Sequence, residues 1–216
     1  YYIEYFDYFM NQKNSLGLDS CFKDLEDPLA LFTIWLAEAE KKEINDPNAL
    51  SLATTNSKNE PSVRMVLLKA LSSKGFVFYT NFNSPKSDDL KKNAKAEMCF
   101  HWKSLRRQIR IYGSVVKVDD KEADKYFSSR PYESKIGAWA SDQSKVMKAR
   151  EDFLKTIDEF KKKYKDINNV PRPKNWSGWC LNPTSIEFWL GDEHRIHERL
   201  KYKKVSNEWK KEILYP

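Results

Sequence analysis

Short runs rich in β-branched and aromatic residues recur at both ends of this chain, with a stretch of helical periodicity between them. No other feature limits the fold as strongly. Such runs, broken by polar turns, read as antiparallel strands, and helices inserted among them make the class α+β. Residues 49–54, 62–71 and 76–80 are three runs split by turns at 57–60 and 72–75, and they predict an antiparallel meander. Residues 97–102 and 108–118 add two strands. In the second, Gln108, Arg110 and Tyr112 share one face and Ile109, Ile111 and Gly113 the other. Residues 177–181, 185–190, 197–204 and 209–214 predict terminal strands. Asp27-Pro28 reads as an N-cap followed by proline at the first helical position, so a helix is expected over about 28–43. Ser84-Pro85 repeats the signal for a short helix to about residue 93. Further helices are predicted over 121–129, 131–140 and 143–164. Strands at both ends favour one domain, 24–216, and a closed or nearly closed barrel would leave no sheet edge exposed. Residues 1–23 show no clean period and are expected to form a mobile arm.

Composition narrows the function. Aromatic residues make up 14% of the 216, too many for a chain that stays unfolded. No run of about 18 apolar residues exists, so no membrane-spanning helix is expected. The opening residues lack the basic and apolar stretches of a secretory signal, and a first residue of Tyr leaves room for missing N-terminal sequence. Cys21, Cys99 and Cys180 are far apart and form no CxxC pair, which fits reduced thiols in a cytoplasm. Net charge is +7, which attracts anions. The basic residues are interleaved with carboxylates rather than gathered in a stripe, so nucleic acid is not an expected partner.

There is no GxGxxG after a strand, no GxxxxGK[ST], no HExxH and no GxSxG, and His194 and His197 at strand spacing would face apart; no metal site is expected. Three clusters carry chemistry instead. In Arg64-Met65-Val66-Leu67-Leu68-Lys69, two cations bracket an apolar strand, suited to a phosphate. Tyr79-Thr80-Asn81 followed by Ser84-Pro85-Lys86 joins a strand end, a hydroxyl and a lysine at a helix N-terminus, an arrangement that favours anions. Between Glu187 and Arg199, the alternating Arg195, His197 and Arg199 are expected to share one strand face beside Trp189, with Glu193 and Glu198 as the bland salt-bridge alternative.

These residues resemble the pyridoxine (pyridoxamine) 5'-phosphate oxidase family. The matching segments run in order from about residue 28 onward: Arg64 to Lys69, Phe78-Tyr79-Thr80-Asn81, Arg107-Gln108, Tyr126-Phe127 with Ser129-Arg130-Pro131, Ser134, Ile136 to Ser141, Gln143-Ser144, and Glu187 to Arg199. Glu187-Phe188-Trp189 followed by Arg195-Ile196-His197-Glu198-Arg199 is the most specific pair. The resemblance implies a split β-barrel that binds FMN at a homodimer interface. It implies oxidation of pyridoxine or pyridoxamine 5'-phosphate to pyridoxal 5'-phosphate, with O2 as acceptor and H2O2 as product. It assigns FMN to Arg64, Met65, Val66, Leu67, Leu68, Lys69, Tyr79, Thr80, Lys86, Gln108, Gln143, Ser144, Trp189 and Arg199. It assigns the substrate phosphate to Lys69, Tyr126, Arg130 and Ser134, and the substrate ring to Arg195, Ile196 and His197. Arg195 and His197 are the expected catalytic pair, with His197 accepting the substrate proton.

Three positions depart from the family pattern. Leu190 replaces a polar or glycine residue, Pro85 stands where many members have Arg, and Asn11-Gln12-Lys13-Asn14 replaces an Arg-x-x-Tyr lid segment.

Overall fold

The computed structural model describes residues 13–216, so the first half of the predicted arm, including Asn11 and Gln12, lies outside the described residues. The elements run α1 (Pro28–Lys42), β1 (Ala49–Thr55), β2 (Pro61–Leu67), β3 (Ala70–Ser72), β4 (Gly75–Asn81), α2 (Pro85–Lys92), β5 (Lys95–Trp102) and β6 (Arg107–Lys117). They continue with α3 (Asp120–Ser128), α4 (Tyr132–Ala140), α5 (Arg150–Lys163), β7 (Trp176–Leu190), β8 (Glu198–Val205) and β9 (Glu208–Leu214). The sheet order is β2-β1-β5-β6-β7-β4-β3, with β8 also paired to β7 and β9 to β8. The pairs β3–β4, β4–β7, β7–β8 and β8–β9 are antiparallel. The chain divides into two compact units, one holding the described residues up to Ser51 with Glu97–Tyr112 and Pro183–Pro216, the other Leu52–Ala96 with Gly113–Asn182.

The core of the first unit is aromatic. In α1, Leu31, Phe32, Trp35 and Ala39 recur at helical spacing and are fully buried. The Asp27 carboxylate caps the helix by accepting from Leu29 N, and Lys41 and Lys42 close it against the dipole. Trp35 meets Phe188 edge-on at 5.2 Å and Phe22 at 5.2 Å, while Phe32 meets Phe100 at 5.2 Å. Each buried ring contributes about 2–3 kcal/mol of transfer free energy, with about 1 kcal/mol more from edge-on packing. The indole of Trp35 donates to Cys21 O and that of Trp102 to Pro47 O, so the polar tips are satisfied. The β8–β9 turn puts Ser206 and Asn207 both at positive φ (50° and 69°), the geometry that a two-residue hairpin with the strands' twist requires.

In the second unit β4 is buried along almost its whole length, as a strand covered on both faces must be. Gly75 sits at φ 131°, and a Cβ there would lie 1.9 Å from Leu181 O, so only glycine fits. The interior under α3, α4 and α5 gathers Phe127, Ile136, Val170 and Trp176, joined by Tyr79, Trp139 and Phe160.

Several sequence expectations need correction. The run 62–71 is two strands, β2 and β3, which stand at opposite ends of the sheet order; the meander is therefore broken. The break follows Leu68, which turns inward to 5% exposure, and Lys69 N, which donates to Val77 O. The two runs at 177–181 and 185–190 are one strand, β7. Pro183 falls between the β4 register at 176–181 and the β8 register at 185–190, neither of which needs its missing N–H. The predicted helix over 143–164 begins only at Arg150. Ser144 takes φ 70°, a left-handed conformation that an α-helix does not continue through. From Lys13 to Lys23 the predicted mobile arm is tied down: Phe22 is fully buried, Lys13 pairs with Glu198, and Asp19 N donates to Glu198 Oε2 at 2.5 Å.

Candidate active site

The second unit contains a cavity of about 490 Å³. Met65, Val66 and Leu67 of β2 line it, with Lys69 just beyond that strand, and Tyr79, Thr80 and Asn81 end β4 at its wall. Lys86 enters from the first turn of α2, Tyr126 and Arg130 from the end of α3, and Ser134 from α4. A smaller adjoining cavity is lined by Leu67, Lys69, Tyr126, Arg130 and Ser134. The expected cofactor and substrate-phosphate residues of this unit are thus brought together, apart from Arg64, Leu68 and Ser144. Leu68 is core, and Ser144 is exposed in the turn after Gln143.

Lys86 dominates the electrostatics. Its ammonium is buried and donates to Thr80 Oγ1 at 3.1 Å, Ser84 Oγ at 3.1 Å and Gln143 Oε1 at 2.9 Å. All three are neutral oxygens, and among the described residues no carboxylate pairs with it. Burial, reinforced by the neighbouring Arg64, pushes its pKa down to about 8. The positive end of the α2 dipole adds to the cost of holding this charge. Ser84 does not cap α2 through its side chain, contrary to the usual reading of Ser-Pro; its hydroxyl donates to Asn81 O at 2.6 Å and accepts from Lys86. Arg64 lies off the cavity wall, where Nη1 donates to Thr54 Oγ1 (2.7 Å) and Leu52 O (3.1 Å), and Nη2 stands 3.9 Å from Asp89.

Arg130 is the second unpaired cation. Its Cζ lies 4.8 Å from the Trp176 ring centroid and 5.5 Å from that of Phe127. Its Nη1 is buried without a hydrogen-bond partner. Burial holds its pKa below the usual guanidinium value and raises that of Tyr126. Tyr79, stacked 4.0 Å from Tyr126 and 5.2 Å from Trp176, is pushed up to about 12 by burial first and by Glu122 next.

The first unit holds the other expected residues. Trp189 of β7 packs on His197 with centroids 4.6 Å apart, and His197 Nδ1 accepts from Asp192 N at 3.1 Å. Arg195, His197 and Arg199 do not share a strand face. Arg195 stands at φ 63° in an exposed turn, His197 precedes β8, and only Arg199 lies in that strand. The turn closes because Arg195 N donates to Asp192 O and Gly191 N to Arg106 O, which ends β7 before a straight continuation can form. Ile196 is exposed beside them, and Gln108 is half-buried in β6, where the predicted face alternation holds. Arg199 is engaged by Glu187 rather than by Glu193 or Glu198: Nε and Nη2 donate to Oε1 at 2.9 and 2.8 Å, and Nη1 donates to Tyr215 O at 2.9 Å. Among the described residues no cluster of His, Cys, Asp and Glu could hold a metal.

Sequence reasoning gave Asn81 no role of its own and missed Ser141 and Trp176. Asn81 and Ser141 lie inside matched segments; Asn81 Nδ2 donates to Ser141 O at 3.1 Å and ties the Gln143 turn to β4. Trp176 follows a proline-containing loop with no periodic neighbours, so nothing in the sequence marked it.

A buried lysine and a buried arginine donor, both lacking carboxylate partners and set beside stacked aromatics, make this a cavity suited to anionic, ring-containing ligands. Family models for pyridoxamine 5'-phosphate oxidase and for the pyridoxine 5'-phosphate oxidase C-terminal dimerisation region match residues 36–164 and 176–216. The chain belongs to the pyridoxine/pyridoxamine 5'-phosphate oxidase family. A family member from Pelagibacter ubique is 62% identical, covering 96% of this chain and 100% of its own. One from Bartonella henselae is 50% identical, covering 94% and 99%. The crystal structure of PhzG from Burkholderia lata, in complex with tetrahydrophenazine-1-carboxylic acid, superposes with a TM-score of 0.86 at 29% identity, covering 92% of this chain and 97% of that one. An FMN-binding protein from Nostoc punctiforme shares the fold at 16% identity, with a TM-score of 0.69, covering 88% and 98%. The fold is the expected α+β split barrel.

Proposed function

We propose that this protein is an FMN-dependent oxidase that converts pyridoxine 5'-phosphate or pyridoxamine 5'-phosphate to pyridoxal 5'-phosphate, working as a cytoplasmic homodimer. The observation that carries this reading is the pair of uncompensated cations, Lys86 and Arg130, in one cavity. Cofactor and substrate are both phosphate monoesters with close to two negative charges each, and neither cation has a carboxylate partner among the described residues.

The residues fit the flavin. Lys86, aimed by Thr80, Ser84 and Gln143, would hold its phosphate, with Arg64 adding positive field. Ser144, Gln108, Trp189 and Arg199 are the further contacts this reading assigns. Those residues would hold FMN, which would supply the redox chemistry, a two-electron acceptor for the substrate and a two-electron donor to O2, giving H2O2. The alcohol loses two electrons and two protons to become the aldehyde; the amine does the same and then takes up water and releases ammonia.

The chain's own residues bind and orient. Lys69, Tyr126, Arg130 and Ser134 would receive the substrate phosphate, and Arg195, Ile196 and His197 its ring. His197 would accept the proton of the substrate hydroxyl or amine. A His197→Asn variant is therefore expected to reduce its flavin more slowly in single turnover, and an unchanged reduction rate across about pH 6–9 would contradict this role.

Pro85, exposed at the first position of α2, places no cation beside the phosphate site. Pro85→Arg is expected to tighten FMN binding by about 1.5- to 5-fold in a fluorescence titration, the worth of one exposed charge contact. Binding no tighter than wild type would contradict this.

PhzG marks a second reading, an oxidase of a phosphate-free ring. Arg130 argues against it, because a substrate without phosphate leaves Nη1 unsatisfied. Steady-state assays with pyridoxine 5'-phosphate and with tetrahydrophenazine-1-carboxylic acid separate the two. Pyridoxal 5'-phosphate and H2O2 formed in equal amounts support the first; turnover of the phenazine alone supports the second.

A further inference from the structure

We infer that Trp176 is the positioning residue that holds Arg130 open for the substrate phosphate and so sets the preference for phosphorylated over unphosphorylated substrate. The inference rests on the reading of Arg130 as a phosphate ligand. It goes beyond that reading in assigning the selectivity to an aromatic residue at the start of β7.

A guanidinium waiting for a phosphate has conflicting needs. It must be partly desolvated to bind tightly, and a carboxylate that stabilised it there would compete with the ligand. The arrangement around Arg130 resolves the conflict. Its Cζ lies 4.8 Å from the Trp176 centroid, and Phe127 offers a second ring at 5.5 Å. The ring faces stabilise the cation through their quadrupoles and leave the in-plane N–H donors free. One of those donors, Nη1, is buried and has no acceptor, which is costly unless a ligand supplies one. No ion pair involves Arg130 among the described residues.

Trp176 is itself held rigidly. It is 6% exposed, stacks parallel to Tyr79 at 5.2 Å and meets Phe127 edge-on at 5.0 Å. Its carbonyl accepts from Arg172 Nη1 at 2.7 Å, and its strand register opposite Asn81 fixes the backbone. The ring also lines the cavity, so one side chain couples the core, the cavity wall and the cation. Leucine could fill much of the space but offers no π face.

The test uses the flavin-loaded full-length enzyme with pyridoxine 5'-phosphate and pyridoxine as substrates. In Trp176→Leu, KM for pyridoxine 5'-phosphate is expected to rise about 3- to 30-fold, the range of a lost cation–π contact, with kcat nearly unchanged. The kcat/KM for pyridoxine should fall less than that for pyridoxine 5'-phosphate, so the selectivity ratio drops. Trp176→Phe retains an aromatic face and should lie close to wild type, which keeps the test decisive if the leucine variant folds poorly. Flavin occupancy, read from absorbance, should be unaltered in both. Equal losses for the two substrates, or an unchanged KM for the phosphate ester, would overturn the inference. Arg130→Leu separates the levels. A KM rise there without one in Trp176→Leu refutes only the role of Trp176. No rise in Arg130→Leu refutes the assignment of Arg130 on which it depends.

Discussion

Replacing Lys86 by Met is expected to weaken FMN binding by about 10- to 100-fold, the worth of a charge-assisted hydrogen bond of about 1.5–3 kcal/mol, while making the flavin-free protein more stable. Both effects follow from the same geometry. The ammonium is buried with only Thr80, Ser84 and Gln143 oxygens around it, beside Arg64 and the positive end of α2. Without an anion it is a desolvated charge with no opposite partner, and methionine occupies a similar volume without that penalty. The pH dependence has a definite sign. The folded-state pKa lies near 8, below the ordinary 10.5, so folding of the flavin-free protein opposes protonation. The destabilisation is fully present below pH 8, fades as the pH rises, and is gone above about 10.5, where Lys86 is neutral in both states. Flavin affinity should move the opposite way, falling as the pH rises through about 8, because the phosphate needs the ammonium. Melting curves of flavin-free wild type and Lys86→Met at neutral and alkaline pH, with FMN titrations at each, check all three points. A variant less stable than wild type without flavin would contradict the account.

Glu187→Ala carries the second large effect. Glu187 is 7% exposed and receives Arg199 through two hydrogen bonds, at 2.9 and 2.8 Å, and Arg110 at 3.7 Å. Arg110 in turn donates to Glu97 at 2.7 Å, so the four charges form a ladder across β5, β6, β7 and β8. Removing the central carboxylate leaves two guanidiniums facing each other across the gap. Because both keep some solvent contact, the expected loss is about 1–3 kcal/mol rather than the full cost of a buried charge. For a chain of this size that lowers the melting temperature by roughly 2–10 °C. Arg199 also loses its anchor, and flavin retention should fall with it. Glu187→Gln keeps one acceptor oxygen and should lie between the two. An alanine variant that melts and binds flavin like wild type would remove Glu187 from the account.

Local signals in the sequence located most of the elements, and side-chain alternation located the buried faces. Asp27-Pro28 marked α1, and Ile109, Ile111 and Gly113 marked the inner face of β6, because capping and period-two burial depend only on neighbours in sequence. What failed depended on distant partners. Pro183 looks like a strand break until β4 and β8 are known to divide β7 between them. Ser144 looks helical until the Gln143 amide is drawn to Lys86 and Thr80. Arg195, His197 and Arg199 look like one face until the Arg106 and Asp192 carbonyls bend the chain between them. Of the charged and hydroxyl groups in the matched segments, Lys69, Tyr79, Thr80, Tyr126, Arg130 and Ser134 line the cavity, whereas Arg64 and Ser144 do not. Trp176 was invisible because its role comes from three-dimensional stacking on Tyr79, Phe127 and Arg130.

The most direct measurement is the absorbance spectrum of the purified protein, saturated with FMN, before and after anaerobic addition of pyridoxamine 5'-phosphate. Bound oxidised flavin absorbs near roughly 450 nm and bleaches on two-electron reduction. The account predicts bleaching by the substrate, return of the colour on admitting air, and one pyridoxal 5'-phosphate formed for each H2O2. Flavin that binds but does not bleach, or no uptake of FMN at all, would contradict it.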